Sequence, residues 1–275
     1  MRFVSIADIK PGMVLAIPVM DKYRRLLLNR NSRLTMYNIM KLNKYDYKGV
    51  FIYDKLSEGI DVIETIPMDL RLESIWAVKD MNFDDCMALA GDIVDHVQKN
   101  PCIETNLTNL AMFDNDTYNH CVNVAAYAAT TGIAMGYDGE KLKNLTAGAL
   151  LHDIGKSMIP ISIITKKDKL TDNEMKIIRK HPENGYRMIK GSNLSSVIKV
   201  AVYEHHENED GSGYPRGLTG DQIHETAKIV HICDVYDAMV SKRSYKDGIN
   251  PADVVEYIYA QSGKMFDSDI VRYFV

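Results

Sequence analysis

Imidazoles and carboxylates gather in this 275-residue chain in pairs that ordinary packing does not call for. His152 and Asp153 are adjacent within Leu150-Leu151-His152-Asp153-Ile154-Gly155-Lys156, and His205 and His206 form a second adjacent pair. Asp116 precedes His120 by four residues, so on a helix both side chains leave the same face. His181 stands before Pro182 at a helix-start signal, and Asp234 lies in a helical stretch three residues before Asp237. Neutral imidazole donates nitrogen to a borderline transition metal, while carboxylate adds negative charge and can bridge two ions. That chemistry suits phosphodiester hydrolysis, which needs a strong nucleophile and neutralised charge at phosphorus. Metal binding lowers the pKa of water from about 15.7 to about 7, and ions roughly 3.5–4 Å apart can hold hydroxide beside a phosphate oxygen. The five histidines with Asp153, Asp234 and Asp116 suffice for two or three such ions. A lone helical histidine is ordinarily a surface or satisfied residue, and His96 and His224 keep that assignment. His231, three residues before Asp234, could support a ligand, but the ordinary assignment is favoured there too.

The elements that must position these groups are helical. From Pro67 and Leu70 onward, long stretches lack proline and few β-branched runs occur. Thr171-Asp172-Asn173-Glu174 has the form of a capping box, and Asn250-Pro251 places a cap residue before a first-turn proline. Glu207 to Gly220 holds Gly211, Gly213, Pro215, Gly217 and Gly220, which predicts an ordered loop or lid. Residues 66–109 read as a helical connector and 110–275 as a catalytic domain. Residues 1–65 differ: they contain neither His nor Cys and look β-rich. The turn Pro11-Gly12 leads into the apolar run Met13 to Met20, and Arg25–Leu28 and Gly49–Tyr53 are further strand-like runs. Thr35 can cap a helix running through Lys44 between them. The expected architecture is α+β overall, an all-α catalytic domain preceded by a small β-rich, regulatory or packing module.

Bulk properties narrow the partners. The formal net charge of -4 offers no global positive field for long nucleic acid, though a small anion could still be held by metals or a few basic residues. The cysteines, Cys86, Cys102, Cys121 and Cys233, form no CxxC pair and read neither as a disulfide framework nor as a thiolate metal site. The first residues lack the apolar run of a signal peptide, and the stretch Cys121 to Gly136 is shorter than the ~20 residues a membrane span needs. A reduced cytoplasmic compartment and no membrane span are expected.

The motifs together resemble the HD-GYP family of the HD superfamily of phosphohydrolases, over roughly residues 110–275. His152-Asp153 and Gly213-Tyr214-Pro215 match the two halves of the family's name. Around them stand Gly155-Lys156 with Ile159-Pro160, His181-Pro182 with Gly185, and His205-His206-Glu207 leading into Asp210-Gly211-Ser212. Asp234-Val235-Tyr236-Asp237-Ala238, Arg243, Tyr245-Lys246 and Phe266-Asp267 also fit. The resemblance implies an all-helical HD-type domain with His120, His152, Asp153, His181, His205, His206 and Asp234 as metal ligands. Asp153 would bridge two ions, and His205 and His206 would serve the outer sites. Asp116 occupies the place of a carboxylate, commonly Glu, that some members use for a third ion. The resemblance further implies that Lys156 points at the scissile phosphate, that Arg243 and Lys246 hold phosphate, and that Tyr214 faces a base or a partner. It favours iron, then manganese. Asn208 departs from the family, standing where a basic residue is frequent. The N-terminal module is similar, loosely, to one that often precedes such domains.

The expected activity is hydrolysis of cyclic di-GMP to pGpG, and then to GMP, by a metal-activated hydroxide. A different cyclic dinucleotide, such as cyclic GMP-AMP, is the alternative substrate. A weakly active sensor or adaptor that binds ligand, or a diguanylate cyclase domain through the glycine-rich loop, is the alternative class. The sequence does not fix the oligomeric state; a homodimer is compatible with it.

Overall fold

The computed structural model describes residues 2–16, 18–20, 26–44, 47, 49–53, 66–99, 116–166, 168–241 and 249–275, the side chains of Phe3, Met20, Met68 and Asp116 excepted. Two compact units emerge, one within Met1–Met68 and one within Asp69–Cys102 and Thr117–Val275. In the first, β1 (Arg2–Ser5), β5 (Gly49–Tyr53) and β2 (Val14–Leu15) make an antiparallel sheet in the order β1-β5-β2. Val4 pairs with Val50 and Leu15 with Ile52. The expected single run Met13 to Met20 is split. Val14–Leu15 pairs with β5, whereas β3 (Val19–Met20) pairs with β4 (Leu26–Leu28). Pro18, which has no N–H for a ladder, separates the two pairings. The short β1 had no pattern of its own and is held by central β5. Helix α1 (Met36–Lys44) starts where Thr35 Oγ1 accepts from Asn38 N at 3.2 Å. Val4, Leu15, Leu34, Leu42, Val50 and Ile52 form this unit's core.

The second unit is helical: α2 (Met68–Lys79), α3 (Phe83–Lys99), α4 (Asp116–Ala134), α5 (Gly139–Leu151), a 3₁₀ segment (Ile154–Met158), α6 (Ile161–Ile164) and α7 (Asp172–Ile178). After these come α8 (His181–Ile189), α9 (Ser196–Glu204), α10 (Glu225–Val240), α11 (Pro251–Ala260) and α12 (Ser268–Phe274). Helix α5 is its axis. Leu142, Leu145 and every residue from Thr146 to Leu151 are buried, with α3, α9 and α10 packed around the helix. A side chain at Gly148 would meet Ala201 Cβ at 2.9 Å, so glycine permits the close crossing of α5 and α9. Caps form where the sequence signalled them: Thr171 and Glu174 make a reciprocal capping box, and Asn250 accepts from Ala252 N at 3.0 Å. No helix among the described residues is long and apolar enough to cross a membrane.

Two truncations probe this packing. Leu145→Ala should lower stability by about 2–5 kcal/mol, because the fully enclosed site cannot collapse around the loss. Thr171→Ala should cost about 1 kcal/mol through the lost cap. Urea unfolding followed by circular dichroism measures both, and the core change should be the larger.

Candidate metal centre

Five of the candidate ligands sit at or next to helix ends, and His120 and Asp234 lie within helices. His152 caps the C-terminus of α5, and Asp153 follows at the start of the 3₁₀ segment. His181 opens α8, with Pro182 in its first turn. His205 ends α9 and His206 follows it. His120 lies on α4 and Asp234 on α10. The 3₁₀ segment and α8 meet through glycines: a Cβ on Gly155 would stand 2.0 Å from His181 O and 2.4 Å from Gly185 N. Only glycine lets the backbone of His181 come so near the His152-Asp153 pair.

Three imidazoles are aimed by the same local device. His152 Nδ1 donates to Ala149 O at 2.7 Å, His181 Nδ1 to Ile178 O at 2.8 Å, and His205 Nδ1 to Val202 O at 3.0 Å. Each bond spans three residues and favours the Nδ1–H tautomer, turning Nε2 inward, where His181 Nε2 and His205 Nε2 lie 3.1 Å apart. Asp153 lies between two groups. Its Oδ2 is 3.4 Å from His152 Nε2 and 3.8 Å from His120 Nε2, while its Oδ1 is 3.2 Å from His181 Nε2 and 4.0 Å from His205 Nε2. Asp234 Oδ1 is 2.9 Å from His120 Nε2 and 3.8 Å from His152 Nε2; its Oδ2 is 3.8 Å from His206 Nδ1.

Donor atoms of His120, His152 and Asp234 lie within 4.8 Å of one another, as do those of His181, His205 and His206. His152 Nε2 and Asp153 Oδ1 are buried and make no hydrogen bond. Buried lone pairs facing one another repel unless a cation lies between them, so this donor set fits transition-metal ions. Cys121 also comes within reach of His152 and Asp153, its thiol pushed well up by burial and then by Asp153.

Electrostatics favour the same use. Burial holds His205 far below the usual histidine range, helped by its imidazole neighbours, and burial does the same to His206. Both are therefore neutral donors. Burial would raise Asp153, but Lys156 and then His152 hold it well below the usual carboxylate range. Asp234 is likewise held low against burial, chiefly by His120. Burial opposes a proton on His120, yet its bonds to Asp234 and Asp237 hold it up at about 9.

Lys156 Nζ contacts Asp153 Oδ2 and stays partly exposed at the rim. Tyr214 stacks on His206, with ring centres 4.7 Å apart, and the Arg179 guanidinium lies 5.2 Å from the centre of the Tyr214 ring. Burial and then Asp234 push the Tyr214 phenol up, so it is a neutral ring near neutral pH. The glycine-rich loop is cross-braced. Glu207, itself buried, accepts from Arg216 N at 2.7 Å and Leu218 N at 2.9 Å, and Tyr214 N donates to His206 O at 3.0 Å. Gly213 is packed so closely on Glu207 and Asn208 that a Cβ would stand 2.4 Å from Asn208 N.

Arg243 and Lys246 lie outside the described residues, as does Cys102, and the Asp116 side chain is outside them too, though its backbone begins α4. His231, assigned no special role from its spacing, is buried beside the cluster, its Nε2 3.0 Å from Asn208 Oδ1. Sequence reasoning gave no role to three more residues: Asp237 bonds His120 Nδ1 at 2.6 Å, Asn123 bonds Asp237 at 2.9 Å, and Arg71 bonds Asn123 at 2.8 Å. Only Asp237 carried a signal, its place one helical turn beyond Asp234.

The profile of the HD domain matches residues 93–270. The cyclic di-GMP phosphodiesterase PA4108 of Pseudomonas aeruginosa is 37% identical over 193 residues, which is 68% of this chain and 46% of that protein. The 3'3'-cGAMP-specific phosphodiesterase 2 of Vibrio cholerae is 32% identical over 239 residues, 82% of this chain and 45% of that protein. The chain thus spans under half the length of these curated relatives. Among solved structures, Bd1817, an HDG"Y"P protein from Bdellovibrio bacteriovorus, shares the fold with a TM-score of 0.66 at 16% identity, covering 99% of this chain and 97% of that one.

The Gly155 contact gives a direct test of the geometry. Gly155→Ala should force the 3₁₀ segment from α8, with a cost of at least about 2 kcal/mol, since backbone cannot yield as a side chain can. Metal uptake by the purified variant should fall with its melting temperature; an unchanged value of both would mean that the two segments do not meet this closely.

Proposed function

We propose, for a chain that belongs to the HD domain family in its HD-GYP branch, a metal-dependent phosphodiesterase activity on cyclic dinucleotides, with cyclic di-GMP as substrate. The observation that supports it most is Asp153, a buried carboxylate whose two oxygens face separate groups of imidazoles. His120, His152 and Asp234 would hold one ion, His181, His205 and His206 another, with Asp153 between them. Nitrogen and oxygen donors without thiolate suit iron and manganese, and iron is proposed first. Bound ions supply Lewis acidity and lower the pKa of water to about 7.

The chain's own groups do the rest. Lys156 keeps an ammonium at the rim of the cluster, where it would offset charge on the scissile phosphate or give a proton to the leaving oxygen. The contact with Asp153 fixes that ammonium in place. Tyr214, held flat on His206 by the braced loop, offers its ring to a guanine base. Arg243 and Lys246 are proposed to anchor phosphate. The product of the first cut would be pGpG, with GMP after a second.

A second substrate has one specific support, the 3'3'-cGAMP-specific relative that aligns with 82% of this chain. A panel of cyclic dinucleotides with product analysis separates the two. Loaded with iron or manganese, the full chain should open cyclic di-GMP faster than cyclic GMP-AMP; the reverse order would reassign the substrate. Chelation should abolish turnover, and Asp153→Ala should reduce it at least about 10³-fold. Undiminished hydrolysis by Asp153→Ala would overturn the proposal.

A further inference from the structure

Arg71 is buried, although it carries a full charge and lies on α2, before the residues that the HD domain profile matches. Burial of a guanidinium is costly unless its donors are used. Its Nη1 donates to Asn123 Oδ1 at 2.8 Å, and Asn123 Nδ2 donates to Asp237 Oδ1 at 2.9 Å. Asp237 Oδ2 lies 2.6 Å from His120 Nδ1. All four side chains are buried, so none of these bonds competes with bulk water. We propose that Arg71, Asn123 and Asp237 form a positioning relay that sets the tautomer and orientation of His120. Helix α2 then completes the metal centre from outside the family's own domain. The inference rests on the proposed role of His120 as a ligand.

The relay works by donor and acceptor polarity. A carboxylate at Nδ1 keeps the imidazole proton there and leaves Nε2 for a cation, the arrangement that usually supports a ligating histidine. His120 Nε2 faces Asp234 Oδ1 at 2.9 Å and Asp153 Oδ2 at 3.8 Å, the correct side for that cation. Asp237 in turn needs a donor, and Asn123 provides one only if its amide NH₂ faces the carboxylate. An amide has two faces of similar shape, so something must choose between them. The guanidinium, which can only donate, demands Asn123 Oδ1 and thereby turns the NH₂ toward Asp237. Its charge also balances a carboxylate that would otherwise add to those of Asp153 and Asp234.

The full chain tests this with zinc as the probe ion, in competition with a chromophoric chelator. Arg71→Gln should weaken zinc uptake at one site by about 10–100-fold, as loss of a group behind a ligand does, while Arg71→Lys should recover part of it. His120→Ala should lose that ion outright. Nitrogen-15 NMR of the zinc-loaded wild type should show His120 protonated at Nδ1, and in Arg71→Gln that signal should shift. Full zinc affinity and an unmoved signal in Arg71→Gln, with the ion lost in His120→Ala, would overturn the relay alone. Full zinc binding by His120→Ala would overturn the ligand assignment, and the relay with it. Should the Arg71 variants fail to fold, the wild-type spectrum still decides: a zinc-loaded His120 protonated at Nε2 contradicts the proposal.

Discussion

A carboxylate buried as Asp153 is must be matched by positive charge or donors on every side, and here most of its neighbours are imidazole nitrogens. Lys156 meets one oxygen at the rim; inward, His152, His120, His181 and His205 crowd both oxygens. Such a gathering of imidazole nitrogens and carboxylate oxygens, sealed from water, suits cations. The rest of the helical unit follows from that demand. Helices α5 and α9 end at the cluster, α8 begins there, and the glycines at 155 and 185 let backbones approach closely enough for the side chains to share a centre.

The helices supply more than a frame. Using an i to i−3 carbonyl to hold Nδ1 ties the aim of three histidines to the turn of chain just before each. Aim is thus set locally, and convergence is set by packing around α5. His120 is held differently, since it lies within α4 and its own helix carbonyls are occupied. It takes its second partner, Asp237, from α10, which requires a long-range network instead of a local bond. The glycine-rich loop is built on similar terms, with buried Glu204 and Glu207 tying Arg216 and Leu218 back to the end of α9.

The sequence announced the helical character, the caps at Thr171 and Asn250, and the residues that converge, because paired titratable groups and capping boxes are local patterns. Asp237 was visible but unassigned, since a second acid one turn after the first is common on solvated helices. Arg71 and Asn123 carried no signal at all: each is an ordinary helical polar residue, and their contact joins positions 52 residues apart. The loop's breakers were plain, but the glutamates that brace it look like surface charges in one dimension. In the N-terminal unit, the apolar run before Met20 read as one strand because periodicity does not reveal which partner each half will find.

Crystals of the metal-loaded chain, measured at the absorption edge of the added ion, test the central claim most directly. Two anomalous peaks should stand on either side of Asp153, each about 2 Å from imidazole nitrogens, one set from His120 and His152 and the other from His181, His205 and His206. A protein that takes up ions elsewhere, or shows none between these side chains at saturating metal, would contradict it.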